Sequence, residues 1–241
     1  RQPKWFQREI KVSCGGRRSC YLATQDIISK LQSEIRRVKS GVLCLFLLDS
    51  NASLTVNENA DPTVRTDMDG AMKRMAEKGA KSWSKGEGDP LAFRSALFGR
   101  SLTLPINNGY PSFGTWQGIY LCSWDPSSTN RTLIATCVEL SSRVQNITIS
   151  PAKRGVHPIT ADVTKAFLSE KKNKKRKTEK EGGGIPAMLY VMIQHTSASM
   201  GLSGVYHSSL DKALDLVVPE TWNNEFFVHT YEGPDDMPGH V

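Results

Sequence analysis

No apolar run in this chain is long enough to cross a bilayer. A membrane-spanning helix needs about 20 consecutive apolar residues, and the longest stretches here, Val42 to Leu48 and Ala187 to Ile193, have the length of buried strands. No basic segment followed by an apolar core opens the sequence, so no secretory leader is expected. Cysteine is sparse. Cys14, Cys20, Cys44, Cys122 and Cys137 form an odd set without CxxC spacing, which excludes a disulfide framework and reads as reduced core residues. With these absences, a cytoplasmic protein is expected. Histidine is also sparse, at five in 241 residues. The composition that remains, 39% hydrophobic and 23% charged, is that of a folded globular protein rather than a disordered one.

Charge of one sign is nearly missing outside a single segment. The run Lys171 to Glu181 holds seven Lys/Arg and two Glu, five of the seven net positive charges of the whole chain. A nearly neutral body argues against a nucleic-acid surface. Binding of a polyanion, or entry into the nucleus, is expected only through the Lys171–Lys180 stretch. Followed by three glycines, that stretch reads as a solvated insertion over residues 170–184, which the chain tolerates at little entropic cost.

What is present is a repeat. LLDSNASLTVNEN around Asp49 parallels MIQHTSASMGLSG around His195, so that Asp49 lies over His195 and Ala52-Ser53 over Ala198-Ser199. Farther on, AKSWSKGEGDPLA parallels FFVHTYEGPDDMPGH, with Lys81 opposite His229 and Ala92 opposite His240. Two tandem copies are therefore expected, residues 1–141 and 142–241, with histidines in the second only.

Each copy is expected to open with an alternating strand, Trp5 to Ser13 or Val144 to Ser150. A helix starting at Thr24 or Thr160 follows, with Thr as N-cap and Asp26 or Asp162 in the first turn. Next come a buried strand (Gly41 to Leu48; Ala187 to Gln194), a strand through the Ala-Ser pair, and a second helix. That helix spans Pro62 to Lys78 in the first copy, with Met68, Met72 and Met75 inward. In the second it spans Tyr206 to Val217, with Leu210, Leu214 and Val217 inward. The first copy then continues through strands Ser101 to Ile106, Thr115 to Cys122 and Arg131 to Leu140, turning at Asn107-Asn108-Gly109. The second has no such strands, so its sheet is expected to be cut short or completed by another subunit.

His195, His229 and His240 fall at a strand end, in a loop and in a Pro/Gly/Asp-rich turn, a distribution suited to a three-nitrogen divalent-metal site with an open position. His157 and His207 read as structural. Glu232, Asp235 and Asp236 flank the last two histidines as orienting groups, hard-ion ligands or turn caps. The first copy keeps Asn57, Glu58, Asn59, Asp61, Arg65 and Asp67 in NENADPTVRTD. Asp61-Pro62 there is a helix start, while Asn57 and Arg65 are free to hold an anion. Since each copy lacks the polar groups of the other, a joint site is expected, combining the histidines of one with Asn57, Glu58 and Arg65 of the other.

The strings NASLTVNENADPTVRTDM, GTWQGIYL (Gly114 to Leu121), QHTSAS and HTYEGPDDMPGH closely resemble the YjbQ family, small proteins described as secondary thiamine-phosphate synthases. The resemblance implies an α+β fold with a mixed, mainly antiparallel β-sandwich, and assembly as a trimer. It implies a zinc or magnesium site at His195, His229 and His240. Catalytic roles fall to Glu58, Arg65 and Asp236, and contact with a phosphorylated substrate to Asn57, Asn59, Thr115, Trp116, Gln117, Ser197 and Ser199. The implied reaction joins a pyrimidine pyrophosphate to a thiazole phosphate. A non-catalytic, metal-stabilised assembly protein is the alternative.

Overall fold

The computed structural model describes residues 5–16, 19–80, 90–141, 144–151, 153–169, 188–204 and 206–241. The basic run 171–181 and Lys81 lie outside the described residues.

The first half forms two antiparallel sheets around one apolar core. Strands β1 (Trp5–Ser13), β8 (Asn130–Glu139), β3 (Ser40–Leu47), β5 (Ser101–Asn107) and β6 (Tyr110–Pro111) lie side by side in that order. The second sheet has the order β2 (Ser19–Leu22), β7 (Gln117–Ser123), β4 (Ala52–Glu58). Alternation along the strands explains the stacking. Leu43, Leu45 and Leu47, Leu133 and Ala135, and Ile119 and Leu121 all enter the shared core, joined by Ile27, Leu31 and Ile35 of α1 (Thr24–Ile35). The Asn108-Gly109 turn between the paired residues Asn107 and Tyr110 has positive φ at both positions, 48° and 83°, as a two-residue hairpin requires.

The smaller sheet is covered on its other face as well, which is why every residue of β7 is buried. There α2 (Thr63–Ala80) lays Val64, Met68, Ala71 and Met72 against Tyr120, Cys122 and Trp124. The methionine stripe is thus core packing, as its spacing predicts. Helix α3 (Pro90–Phe98), which the sequence pattern did not suggest, packs beside α2 and β4.

The second half departs from the expected repeat. Helix α4 (Thr160–Ser169) starts where predicted, but no β-strand occurs among the described residues after Glu139. Residues 144–150, 188–194 and the Ala198-Ser199 pair are irregular. A strand exists only through its ladder partners, and nothing among the described residues of this half pairs with these segments as β5, β7 and β8 pair in the first. Helix α5 is shorter than predicted, Ser209–Val217, and Leu214 and Val217 are exposed rather than inward. Beyond it, α6 (Trp222–Glu225) and α7 (Asp236–His240) fold back onto the first half. Trp222 and Phe227 join the Met68–Trp124 cluster, and the Arg74 guanidinium stacks 4.0 Å over Phe226 while pairing with Glu225.

Two local expectations also change. Thr24 is the first residue of α1 rather than its cap, and its hydroxyl accepts the Ile119 amide at 2.8 Å, tying the helix to β7. All five cysteines are free, but only Cys14, Cys20, Cys122 and Cys137 are buried, whereas Cys44 points outward.

Candidate metal centre

Strand alternation turns Asn57 toward α2, while Leu54 on the opposite face enters the sheet core. Its carboxamide is fully used. The oxygen accepts the Glu58 amide at 2.7 Å and faces His240 Nδ1 at 3.1 Å. The nitrogen donates to the His240 carbonyl at 2.7 Å and contacts Met68 sulfur at 2.9 Å. Asn57 therefore grips both ends of a residue 183 positions away.

His229 is gripped in the same manner by α2. Buried Asp67 accepts the amides of Val228 and His229 at 2.7 and 2.8 Å. Asp61 accepts the Thr63 amide at 2.8 Å, which is the capping bond predicted from Asp61-Pro62, and its second oxygen lies 2.7 Å from His229 Nδ1. Burial alone would raise the Asp61 carboxyl, but the Thr63 amide and hydroxyl and the His229 imidazole outweigh it and bring it down to about 2.

With both Nδ1 atoms facing oxygen acceptors, the two Nε2 atoms turn inward, and the rings meet edge to face 5.0 Å apart. His240 Nε2 lies 3.6 Å from Glu58 Oε2 and 3.7 Å from Asp236 Oδ1, and His229 Nε2 lies 3.4 Å from the same Asp236 oxygen. Asp236 and His240 sit one turn apart on α7, and the other Asp236 oxygen accepts the Glu232 amide at 3.0 Å. Burial holds the His240 imidazole below its ordinary value, against the opposing pull of Glu58.

This donor set suits a cation. One ligand atom each from Glu58, His229 and His240 lies within 4.8 Å of the others. Around tetrahedral zinc, with bonds of about 2.0–2.2 Å, ligand atoms stand roughly 3.3–3.5 Å apart. His240 Nε2 and Glu58 Oε2, 3.6 Å apart, already stand close to this spacing, and the three ligand atoms, all within 4.8 Å of one another, would draw in around an ion. Two imidazoles with a carboxylate favour a zinc-like ion over magnesium, which prefers oxygen and water.

The other sequence candidates divide. His195 stands outside this group of three: exposed, with Nδ1 accepting the Ser197 amide at 3.2 Å, so the neutral ring carries its proton on Nε2. Gln117 works as a clamp, its nitrogen donating to the carbonyls of Ile193 and His195 and its oxygen accepting the Gly114 amide. Ser197 packs against Gly239, one residue before His240, so the 195–199 loop borders the centre. Asn59, Thr115, Trp116 and Ser199 are exposed, and the Asn59 amide donates to the Trp116 carbonyl. Arg65 is half-buried, its charge felt at the buried Tyr120 hydroxyl, which donates to the Glu58 carbonyl. Asp49, which occupies the place parallel to His195, is committed to a half-buried ion pair with the buried Arg131 at 2.8 Å. Read from the sequence, Asp61 has only a helix-capping role and Asp67 has none. No local spacing announces the contacts they make 161 to 168 residues away.

An α+β sandwich carrying a histidine–carboxylate centre between its strand β4, its helix α2 and a folded-back second half is the class this structure defines. Residues 8–140 match the family described as UPF0047 protein YjbQ-like, and the chain belongs to that family. It is similar to the UPF0047 protein YjbQ of Escherichia coli O157:H7, 37% identical over 135 residues that make up 55% of this chain and 96% of that protein. The UPF0047 protein YjbQ of Salmonella typhimurium is 40% identical over 135 residues, with the same shares of 55% and 96%. Among solved structures, a YbjQ-like protein of unknown function from Sulfolobus solfataricus P2 covers 58% of this chain and all of its own, at 21% identity and a TM-score of 0.49.

Proposed function

We propose that Glu58, His229 and His240, with Asp236 beside them, hold a divalent cation of the zinc type, and that this centre acts on a phosphorylated substrate. One observation carries the reading: Glu58, His229 and His240 each offer one ligand atom within 4.8 Å of the others, with Asp236 Oδ1 3.4 Å from His229 Nε2 and 3.7 Å from His240 Nε2, a donor set that a single cation would satisfy. Bound there, such an ion supplies Lewis acidity for a developing anionic oxygen. The chain's own groups do the rest. Asn57 and Asp61 keep the imidazoles aimed, Asp236 adds a carboxylate oxygen beside both Nε2 atoms, and Arg65 offers a permanent positive charge for a phosphate.

The reaction we assign is of the thiamine-phosphate-synthase type, joining a pyrimidine pyrophosphate to a thiazole phosphate with release of pyrophosphate. Arg65 and the cation would share the charge that develops on the departing group. The test is pyrophosphate release from these two substrates, measured with metal content, in the wild type and in His229→Ala and His240→Ala. Stoichiometric metal and turnover in the wild type, with both lost in each variant, are expected. Turnover that survives loss of the metal would overturn the reading.

A second reading, a metal-stabilised assembly of several copies without catalysis, is favoured by the exposure of Met188, Leu189, Leu202, Leu216 and Val217. It predicts that chelation lowers the molar mass measured by light scattering, with no turnover in either state.

A further inference from the structure

Asp61 has two oxygens and two tasks. One accepts the Thr63 amide and closes the first turn of α2, and the other lies 2.7 Å from Nδ1 of His229. A carboxylate can only accept, so the proton between them belongs to Nδ1, and in the neutral ring Nε2 keeps its lone pair. One and a half turns along the same helix, Asp67 accepts the backbone amide of His229. Helix α2 thus fixes the main chain of His229 with one carboxylate and the face and protonation of its ring with the other. His195, whose Nδ1 accepts an amide from Ser197, is in the opposite tautomer and stands outside the Glu58–His229–His240 group.

We propose that Asp61 is the positioning residue of the centre: by accepting the Nδ1 proton of His229 it presents Nε2 to the cation, and it does so with the side chain that caps α2. The effect on the cation rests on the metal reading above, whereas the tautomer does not. Capping and positioning separate cleanly on substitution. Asparagine caps a helix as well as aspartate does, so Asp61→Asn keeps the Thr63 bond. It replaces the oxygen facing His229 with an amide group that can only donate. Nδ1 must then accept, and the proton moves to Nε2, the atom the cation needs. A role confined to capping would leave Asp61→Asn indistinguishable from the wild type.

The experiment records imidazole nitrogen–proton correlation spectra of the metal-free full chain and calorimetric titrations with zinc, for the wild type, Asp61→Asn and Asp61→Ala. His229 protonated on Nδ1 in the wild type and on Nε2 in Asp61→Asn is expected. Zinc affinity should fall about 10- to 100-fold in Asp61→Asn, which keeps the helix cap. Asp61→Ala should lose affinity and melt earlier as well. A wild-type ring protonated on Nε2, or an Asp61→Asn ring still protonated on Nδ1, overturns the proposal. A switched tautomer with undiminished zinc affinity overturns its link to the cation. The expected tautomers in a wild type that binds no zinc would defeat the metal reading while leaving the positioning role of Asp61 in place.

Discussion

His240 shows how burial prepares a side chain for binding. The folded protein holds this imidazole neutral because burial outweighs the pull of Glu58. Protonation therefore favours the unfolded chain. Its contribution to stability is complete above the ordinary imidazole value of about 6.5, and is lost as the pH falls from there toward the lower folded value. The metal-free wild type should accordingly lose more melting temperature than His240→Gln between pH 7.5 and 5, and parallel curves for the two proteins would refute this. Asp61 acts in a different window. Its carboxylate, brought down to about 2, stabilises the fold fully above about 3.9 and loses that contribution as the pH falls through 2.

At the scale of elements, the sheets of the first half and the start of α4 at Thr160 were legible in the sequence, while the strands expected in the second half are absent among the described residues. Alternation in Trp5–Ser13 and Asn130–Glu139 and the Met68–Met72 stripe each reflect burial on one face, which a periodic pattern records directly. Residues 188–194 carry the same apolar pattern, yet a strand needs neighbours, and the pattern holds no record of whether they exist. The candidate centre was legible in part. His229, His240, Asn57 and Glu58 stood out by residue type and come together as expected, while His195 stands apart because its loop docks through backbone atoms. Gly114 is where that docking is tightest: a Cβ there would sit 2.3 Å from the Gln194 carbonyl oxygen. Backbone against backbone cannot yield as a side-chain tip does, so Gly114→Ala should release residues 193–199 at a cost of about 1–3 kcal/mol. Hydrogen exchange would show lost protection in that loop with the β4–β7 ladder still protected, and uniform protection would refute the assignment.

At the scale of the whole molecule, the candidate centre draws its residues from both halves. A cation bound at a hundredfold excess over its dissociation constant stabilises the folded state by about 2.7 kcal/mol. For a chain of this length that is roughly 5–10 °C in melting temperature. Zinc should raise the melting temperature by that amount and slow proteolysis within residues 218–241, where His229 and His240 lie. Both effects should vanish in Glu58→Ala. An equal shift in Glu58→Ala would place the ion elsewhere.

The bond between Asn57 and His240 spans 183 positions of sequence, and this separation sets an order of events during folding. Contacts so remote form only after the nearer ones have shortened the chain between them. The sheets of residues 5–139 can assemble while the protein is still being synthesised. The candidate centre cannot begin to form until residue 240 has emerged and settled against β4, so its assembly waits on the sheets that carry the other half of it.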